Sequence, residues 1–324
     1  MAEIKYISLS TKPSARLSYT FHPPTPNTTT NKTTPKLLVF LNGLGLPQTS
    51  WFPVIAQLRE FHAYSLPGIL TYDRYGQGQS DRDPDDANAQ DPSHGHDCMA
   101  VISDLRQLIS QIAAQELDID ETQTDTVQIV FVANSIGCAI ARLYAQTYSG
   151  TVAGLLLLDS VLANSDFVSV YPDPDSDDFN PELLPEGISA EDIRSEREGV
   201  RRIFHPSVGS KEGLSRFNLS TLLPHSSAPK LTGPNGSGTW ITVVGHDPET
   251  FCEESARMGR VRELTMGYVN PYWAEYNEGL VKITEGGRGK GPLIAKGAGH
   301  FVQRDRPDFV VGEVREILKK LEAE

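Results

Sequence analysis

Six short apolar runs, each stopping at turn-forming residues, constrain this 324-residue chain more than any other feature. They are Leu37–Leu41, Ile69–Tyr72, Val127–Val132, Gly154–Leu158, Trp240–Val244 and Leu293–Ala295. Near-continuous hydrophobicity over so few residues is what a strand buried on both faces requires, as in a parallel sheet. Helical stripes accompany them. Val101, Ile102, Leu105, Leu108, Ile109 and Ile112 precede the third run. Val310, Val311, Val314, Ile317, Leu318 and Leu321 repeat the pattern after Pro307, a residue suited to a helix's first turn. Strand, crossover helix, strand predicts an α/β fold with a doubly wound, mostly parallel sheet. Upstream, Leu17, Tyr19 and Phe21 alternate with polar residues, which predicts a solvent-edged strand paired with the segment around Ile4 to Leu9. The Thr/Asn/Pro stretch from Pro23 to Pro35 reads as a turn or loop.

One region breaks the rhythm. Residues 162–238 are rich in Pro, Ser, Asp and Gly, with a single helical patch near Ala190 to Phe204. So long an insertion between two strands reads as a cap or lid, because structureless loops of that length are rare. The expected organisation is a core of residues 1–161 and 239–324 with a cap of residues 162–238 over the strands' carboxyl ends, where such sheets bind ligands.

Charge narrows the function. A formal net charge of -13 argues against nucleic acid, whose phosphates call for clustered Lys and Arg. No apolar stretch approaches the roughly 18 residues of a membrane span. The segment Met1-Ala-Glu-Ile-Lys-Tyr6 lacks the charged start and apolar run of a signal peptide, and three scattered cysteines make a poor disulfide framework. A cytoplasmic protein acting on a small molecule is expected, without membrane or nucleic-acid partners; the oligomeric state is left open.

The third run leads into Ala133-Asn134-Ser135-Ile136-Gly137 and then a helix-compatible stretch. Strand, tight turn with a central Ser between small residues, helix is the setting of a nucleophile elbow. Leu41-Asn42-Gly43-Leu44-Gly45 follows the first run, and Asp73-Arg74-Tyr75-Gly76-Gln77-Gly78-Gln79-Ser80 follows the second. Gly297-Ala298-Gly299-His300 follows the last. Together these segments resemble the α/β-hydrolase superfamily, from about Leu37 to Leu321.

The resemblance implies roles. Ser135 matches the family's nucleophile and His300 its catalytic base. The acid is expected at Asp247, in Gly245-His246-Asp247-Pro248-Glu249 after the fifth run, which gives the chain order Ser, Asp, His. Asp159, ending the preceding run, and Glu249 are the alternatives. The oxyanion hole is assigned to the backbone amides of Leu44 and Ile136. Ala133 stands where the elbow usually has Gly, and Asn42 where the family usually has His. The implied activity is serine hydrolysis of a small or medium ester, lactone or thioester. Acyl transfer, carbon–carbon bond cleavage, or small-molecule binding without catalysis are the alternatives.

Other motifs carry less. His94, His96 and Cys98 lie close together without a recognised zinc spacing, and a helix start near Asp97 explains that segment better. Gly286-Gly-Arg-Gly-Lys290-Gly291 looks like a phosphate loop but leads into no helix, so a turn is expected. No cofactor and no metal are expected. Tyr268, Tyr272, Trp273 and Tyr276 read first as core packing, and second as a pocket lining.

Overall fold

Every apolar run becomes a strand of one eight-stranded sheet in the computed structural model, which describes residues 3–25, 34–60 and 65–324. The strands are β1 (Lys5–Leu9), β2 (Lys12–His22), β3 (Lys36–Leu41), β4 (Gly68–Tyr72), β5 (Gln128–Ser135), β6 (Val152–Ser160), β7 (Trp240–Gly245) and β8 (Gly289–Ile294). Their order across the sheet is β1-β2-β4-β3-β5-β6-β7-β8, antiparallel for the first three and parallel from β4 onward. β2 pairs with β1 as expected, yet it is not an edge: β4 covers its other side, and Tyr19 and Phe21 are buried. The loop expected at Pro23 to Pro35 falls largely on residues 26–33, which lie outside the described residues.

The two-sided burial is visible residue by residue. Leu37, Val39 and Leu41 of β3 pack on one face with Leu105, Ile109, Ile140 and Tyr144. Leu38 and Phe40 pack on the other with Leu58, Val314 and Ile317. Helices α2 (Cys98–Leu117) and α3 (Ile136–Thr147) therefore cover the first face, and α1 (Phe52–Glu60) and α10 (Pro307–Glu322) the second. Side chains alternating across an all-apolar strand bury both sets at once.

Between β6 and β7 the chain forms α4 (Ala190–Phe204) and the short α5 (Leu219–Leu222). A capping box between Ser189 and Asp192 starts α4, whose Ile193 and Val200 join Val168, Tyr171 and Leu264 in a small separate cluster. Further α-helices among the described residues are α6 (Pro248–Arg257), α7 (Arg262–Leu264), α8 (Asn270–Val281) and α9 (Val302–Asp305), with a π-helical turn, Thr265–Val269, joining α7 to α8. The glycine-rich segment at 286–291 is not wholly a turn: β8 begins at Gly289, where pairing with Ile241 extends the sheet four residues before the apolar run. Backbone pairing needs no apolar side chain, so hydrophobicity alone could not show it. No helix among the described residues is long and apolar enough to cross a membrane.

Gly137, the second residue of α3, lets that helix seat against β3: a Cβ there would lie 2.5 Å from the Leu41 carbonyl oxygen. Gly137→Ala should lower unfolding free energy by about 1–3 kcal/mol, because backbone must shift to relieve the clash. Gly312→Ala, in α10 with open space around its Cβ, should be neutral or stabilising by up to ~1 kcal/mol. Urea denaturation of the two variants checks the contrast.

Candidate active site

The parallel strands end on the same edge of the sheet, so Leu41, Ser135, Ser160 and Gly245 bring their following loops together. Ser135 ends β5 and precedes α3 with φ 56° and ψ -123°, a backbone conformation costly for a residue with a side chain. That turn projects the Ser135 side chain into a cavity of about 460 Å³ shared with Ile136, Leu44 and His300. The N-terminus of α3 starts at Ile136, so the peptide dipoles favour negative charge at this end of the cavity.

Asn134, the neighbour of Ser135, fixes the loop that bears the imidazole. Its Nδ2 donates to the His300 carbonyl at 3.0 Å and to the Leu158 carbonyl at 3.0 Å, while its Oδ1 accepts from Gln303 Nε2 at 3.2 Å. Asn134 thereby ties β6 and the His300 loop to the strand that ends at Ser135.

The carboxylate facing that imidazole is Asp159. Its Oδ2 lies 2.6 Å from His300 Nδ1, and the side chain is fully buried at the end of β6 with φ 43°. Beside a carboxylate, Nδ1 carries the proton, which leaves Nε2 of neutral His300 as the basic nitrogen. Burial would raise the Asp159 pKa, but His246 and then His300 outweigh it and hold the group at about 2. A pKa depressed by pairing stabilises the fold fully above the unfolded value near 3.8, and that contribution is lost as pH falls through about 2.

The structure does not bring Asp247 to His300. Asp247 is the N-cap of α6, its Oδ1 accepting from the Glu249 and Thr250 amides at 3.1 and 3.3 Å and its Oδ2 from Gly297 N at 3.1 Å. The Gly297 amide, followed by those of Thr250 and Glu249, keeps its pKa below the usual carboxylate value. The signal was present in Asp247-Pro248-Glu249: Asp before Pro at the first helical position is a helix-start pattern. Glu249 is exposed and pairs with Arg262.

The loop carrying Leu44 is braced from below. Asn42 is buried, donating to the Tyr72 carbonyl at 2.8 Å and to Gln77 Oε1 at 3.0 Å while accepting from Trp51 Nε1 at 2.8 Å. Arg74 donates to the Asn42 and Gly43 carbonyls at 2.8 and 3.0 Å, and Gln77 Nε2 donates to Gly43 at 2.9 Å. Arg74 also pairs with buried Glu212 at 3.1 Å, and Glu212 Oε1 accepts from Gly45 N at 3.2 Å. The Asp-Arg-Tyr-Gly-Gln-Gly segment thus holds the Asn42-Gly43-Leu44 backbone in shape, with help from the chain between β6 and β7. Gly76 is required for this, since a Cβ would meet the Glu212 carbonyl at 2.4 Å.

The cavity wall is chiefly apolar. Phe167, Val170, Tyr171, Val200 and Phe204 come from the segment between β6 and β7, and Phe251, Val269 and Trp273 from the helices beyond. Trp273 Nε1 donates to the Ser160 carbonyl at 2.8 Å, so one aromatic of the cluster at 268–276 is both packed and pocket-facing, whereas Tyr276 is buried and bonds Arg142. Away from the cavity, His94, His96 and Cys98 have three different surroundings. His94 packs on Phe217, and Cys98 is buried in the first turn of α2, which Asp97 caps as expected. The ring of His96 lies within 4.8 Å of Asp83 and Asp86 oxygens, where the Lys12 ammonium already sits 2.6 Å from Asp83.

A family model described as "Alpha/beta hydrolase family" matches residues 38–313. Among solved structures, the chain is similar to Cfl2 from Burkholderia cenocepacia (16% identity, 97% of this chain and 94% of that one, TM-score 0.51). It is also similar to a thermophilic esterase from Thermogutta terrifontis (18%, 98% and 99%, 0.50) and to the epoxide hydrolase VrEH1 from Vigna radiata (13%, 98% and 98%, 0.54). At such identities these likenesses speak to the fold. No curated protein matches the sequence.

Removing the Asp247 cap should cost stability in proportion to its three backbone bonds. Asp247→Ala is expected to lose about 1–2 kcal/mol, while Asp247→Asn, which keeps the two cap bonds but turns an amide NH2 toward the Gly297 N–H, should lose less than Asp247→Ala in thermal unfolding.

Proposed function

From the premise that the chain belongs to the alpha/beta hydrolase family, we propose that it is a serine hydrolase working through Ser135, His300 and Asp159. The observation that carries this reading is the 2.6 Å hydrogen bond between His300 Nδ1 and buried Asp159 on a cavity that also holds Ser135. In the proposed reaction His300 Nε2 takes the Ser135 proton as the oxygen attacks a carbonyl carbon. The imidazolium so formed is stabilised by Asp159, and the Leu44 and Ile136 amides receive the developing oxyanion. The leaving group departs with the proton from His300. Water, activated by the same imidazole, then releases the acyl group from Ser135.

The substrate class follows from the wall. A cavity of about 460 Å³ with a largely apolar wall, on which Arg216, Arg257, Arg260, Arg304 and Glu254 also stand, suits an ester, lactone or thioester of small or medium size, and residues 162–238 act as its cap. Six apolar or aromatic side chains from that segment, Leu162 included, stand on the wall, which supports the cap assignment. Epoxide opening through a covalent carboxylate ester would need an acidic nucleophile, and position 135 holds Ser.

A fluorophosphonate probe should label wild-type protein at Ser135 and leave Ser135→Ala unlabelled, with p-nitrophenyl ester turnover falling at least ~10³-fold in the variant. A folded Ser135→Ala protein that hydrolyses such esters at the parental rate would falsify the proposal. Absence of labelling in a folded wild-type protein would favour a ligand-binding member without catalysis.

A further inference from the structure

Asp159 has a second imidazole behind it. Its Oδ1 accepts from both the backbone N–H and the ring Nδ1 of His246, at 3.1 and 2.8 Å, while Oδ2 serves His300. His246 is buried at the end of β7 and touches no part of the Ser135 turn in any hydrogen bond recorded among the described residues. We propose that His246 is a positioning residue held as an imidazolium, whose charge and two donors lock the Asp159 carboxylate and set the basicity of His300. This rests on the triad reading of Ser135, His300 and Asp159.

The protonation follows from what surrounds the ring. The Nε2 atom lies 3.1 Å from Asn270 Oδ1. Which end of the Asn270 amide faces the ring is fixed by its other end, which donates to the Pro248 carbonyl at 3.1 Å; a carbonyl can only accept. Reversing the amide would set two oxygens against each other. His246 thus meets an acceptor at each ring nitrogen, a carboxylate at one and an amide oxygen at the other. A neutral imidazole has one N–H and would leave a lone pair against a lone pair in a buried site, whereas the imidazolium satisfies both. Aromatic neighbours suit a cation: Phe251 stacks on the ring at 4.1 Å and 19°, and Trp273 meets it edge-on at 5.4 Å. Burial opposes the charge, yet Asp159 and Asn270 prevail and hold the His246 pKa above its usual 6.5. That stabilising pair is complete below the unfolded pKa and lost as pH rises through the folded one.

Charge accounting gives the consequence for catalysis. With His246 protonated, buried Asp159 already has a counter-ion before His300 gains a proton. His300 therefore faces a carboxylate that a second imidazole already partly compensates from behind. Other charged groups stand around these rings, and Arg216, Arg257, Arg260, Arg304 and Glu254 line the cavity together with His300. Asp247 follows His246 in the chain and contributes weakly to its charge. Glu254 of α6 accepts the His300 backbone N–H at 3.1 Å and is itself paired with Arg304, which also bonds Asp305. All of them remain unchanged when His246 is replaced.

The test uses His246→Gln, which keeps a donor toward Asp159 but no charge. The acid limb of kcat/KM for p-nitrophenyl acetate should move up by about one pH unit relative to wild type, as removal of a nearby like charge from His300 requires. The same shift should appear in the rate of fluorophosphonate labelling. Nitrogen-15 NMR of histidine-labelled wild-type protein should show both His246 ring nitrogens protonated at pH 7. An unmoved limb, or a neutral His246 in that spectrum, overturns the inference. If His246→Gln does not fold, the wild-type spectrum alone decides. If the wild-type protein is neither labelled nor active, the hydrolase reading fails separately, and the spectrum still reports the state of His246.

Discussion

A single buried carboxylate, that of Asp159, is the constraint around which the candidate site is arranged. Charge taken out of water is tolerated only when surrounded by donors, and Asp159 receives three: two from His246 and one from His300. The two residues that supply them sit in different places, His246 just after β7 and His300 on the loop after β8. Meeting the needs of one oxygen pair therefore fixes the ends of β6 and β7 and the loop after β8 relative to one another. The positive φ of Asp159 is the local cost of turning its side chain toward that meeting point.

Order in the sheet makes the meeting possible. β6 lies between β5, which ends at Ser135, and β7, which ends beside His246, and all three run parallel. The carboxylate at the end of the middle strand is within reach of both neighbours. Asn134 closes the arrangement from the β5 side by gripping the carbonyls of Leu158 and His300. A second buried pair, Arg74 with Glu212, does the corresponding work for the loop of Asn42, Gly43 and Leu44. Since Glu212 comes from the segment between β6 and β7, the proposed cap and the proposed oxyanion loop share one ion pair.

Most of the fold could be read from hydrophobic pattern, because strands buried on both faces and helices buried on one stripe leave distinct spacings. Ser135, Leu44, Ile136 and His300 all line one cavity, and each lies beside glycines or at a strand end that the sequence displays. The acid was harder to read. A carboxylate at the end of β7 and one at the end of β6 differ by a strand position that chain order does not reveal. Asp247 had the expected place, yet Pro248 after it marks a helix cap, and helix-start amides claimed it. His246 carried no signal at all: its role comes from Asn270, distant in sequence, and from which way that amide points. The start of β8 at Gly289 was hidden for a different reason, since glycine pairs in a sheet without any apolar pattern to mark it.

The measurement that bears most directly on this arrangement is a comparison of kcat/KM for Asp159→Asn and Asp247→Asn on the same p-nitrophenyl ester, with both variants shown to be folded. With Asp159 as the partner of His300, the first should lose on the order of 10⁴-fold, as expected when a triad carboxylate becomes an amide and the imidazole loses its working tautomer. The second should remain within about threefold of wild type, because Asp247 caps α6 and Asp159 is the carboxylate bonded to His300. A large loss at position 247 with near-normal activity at position 159 would contradict the account.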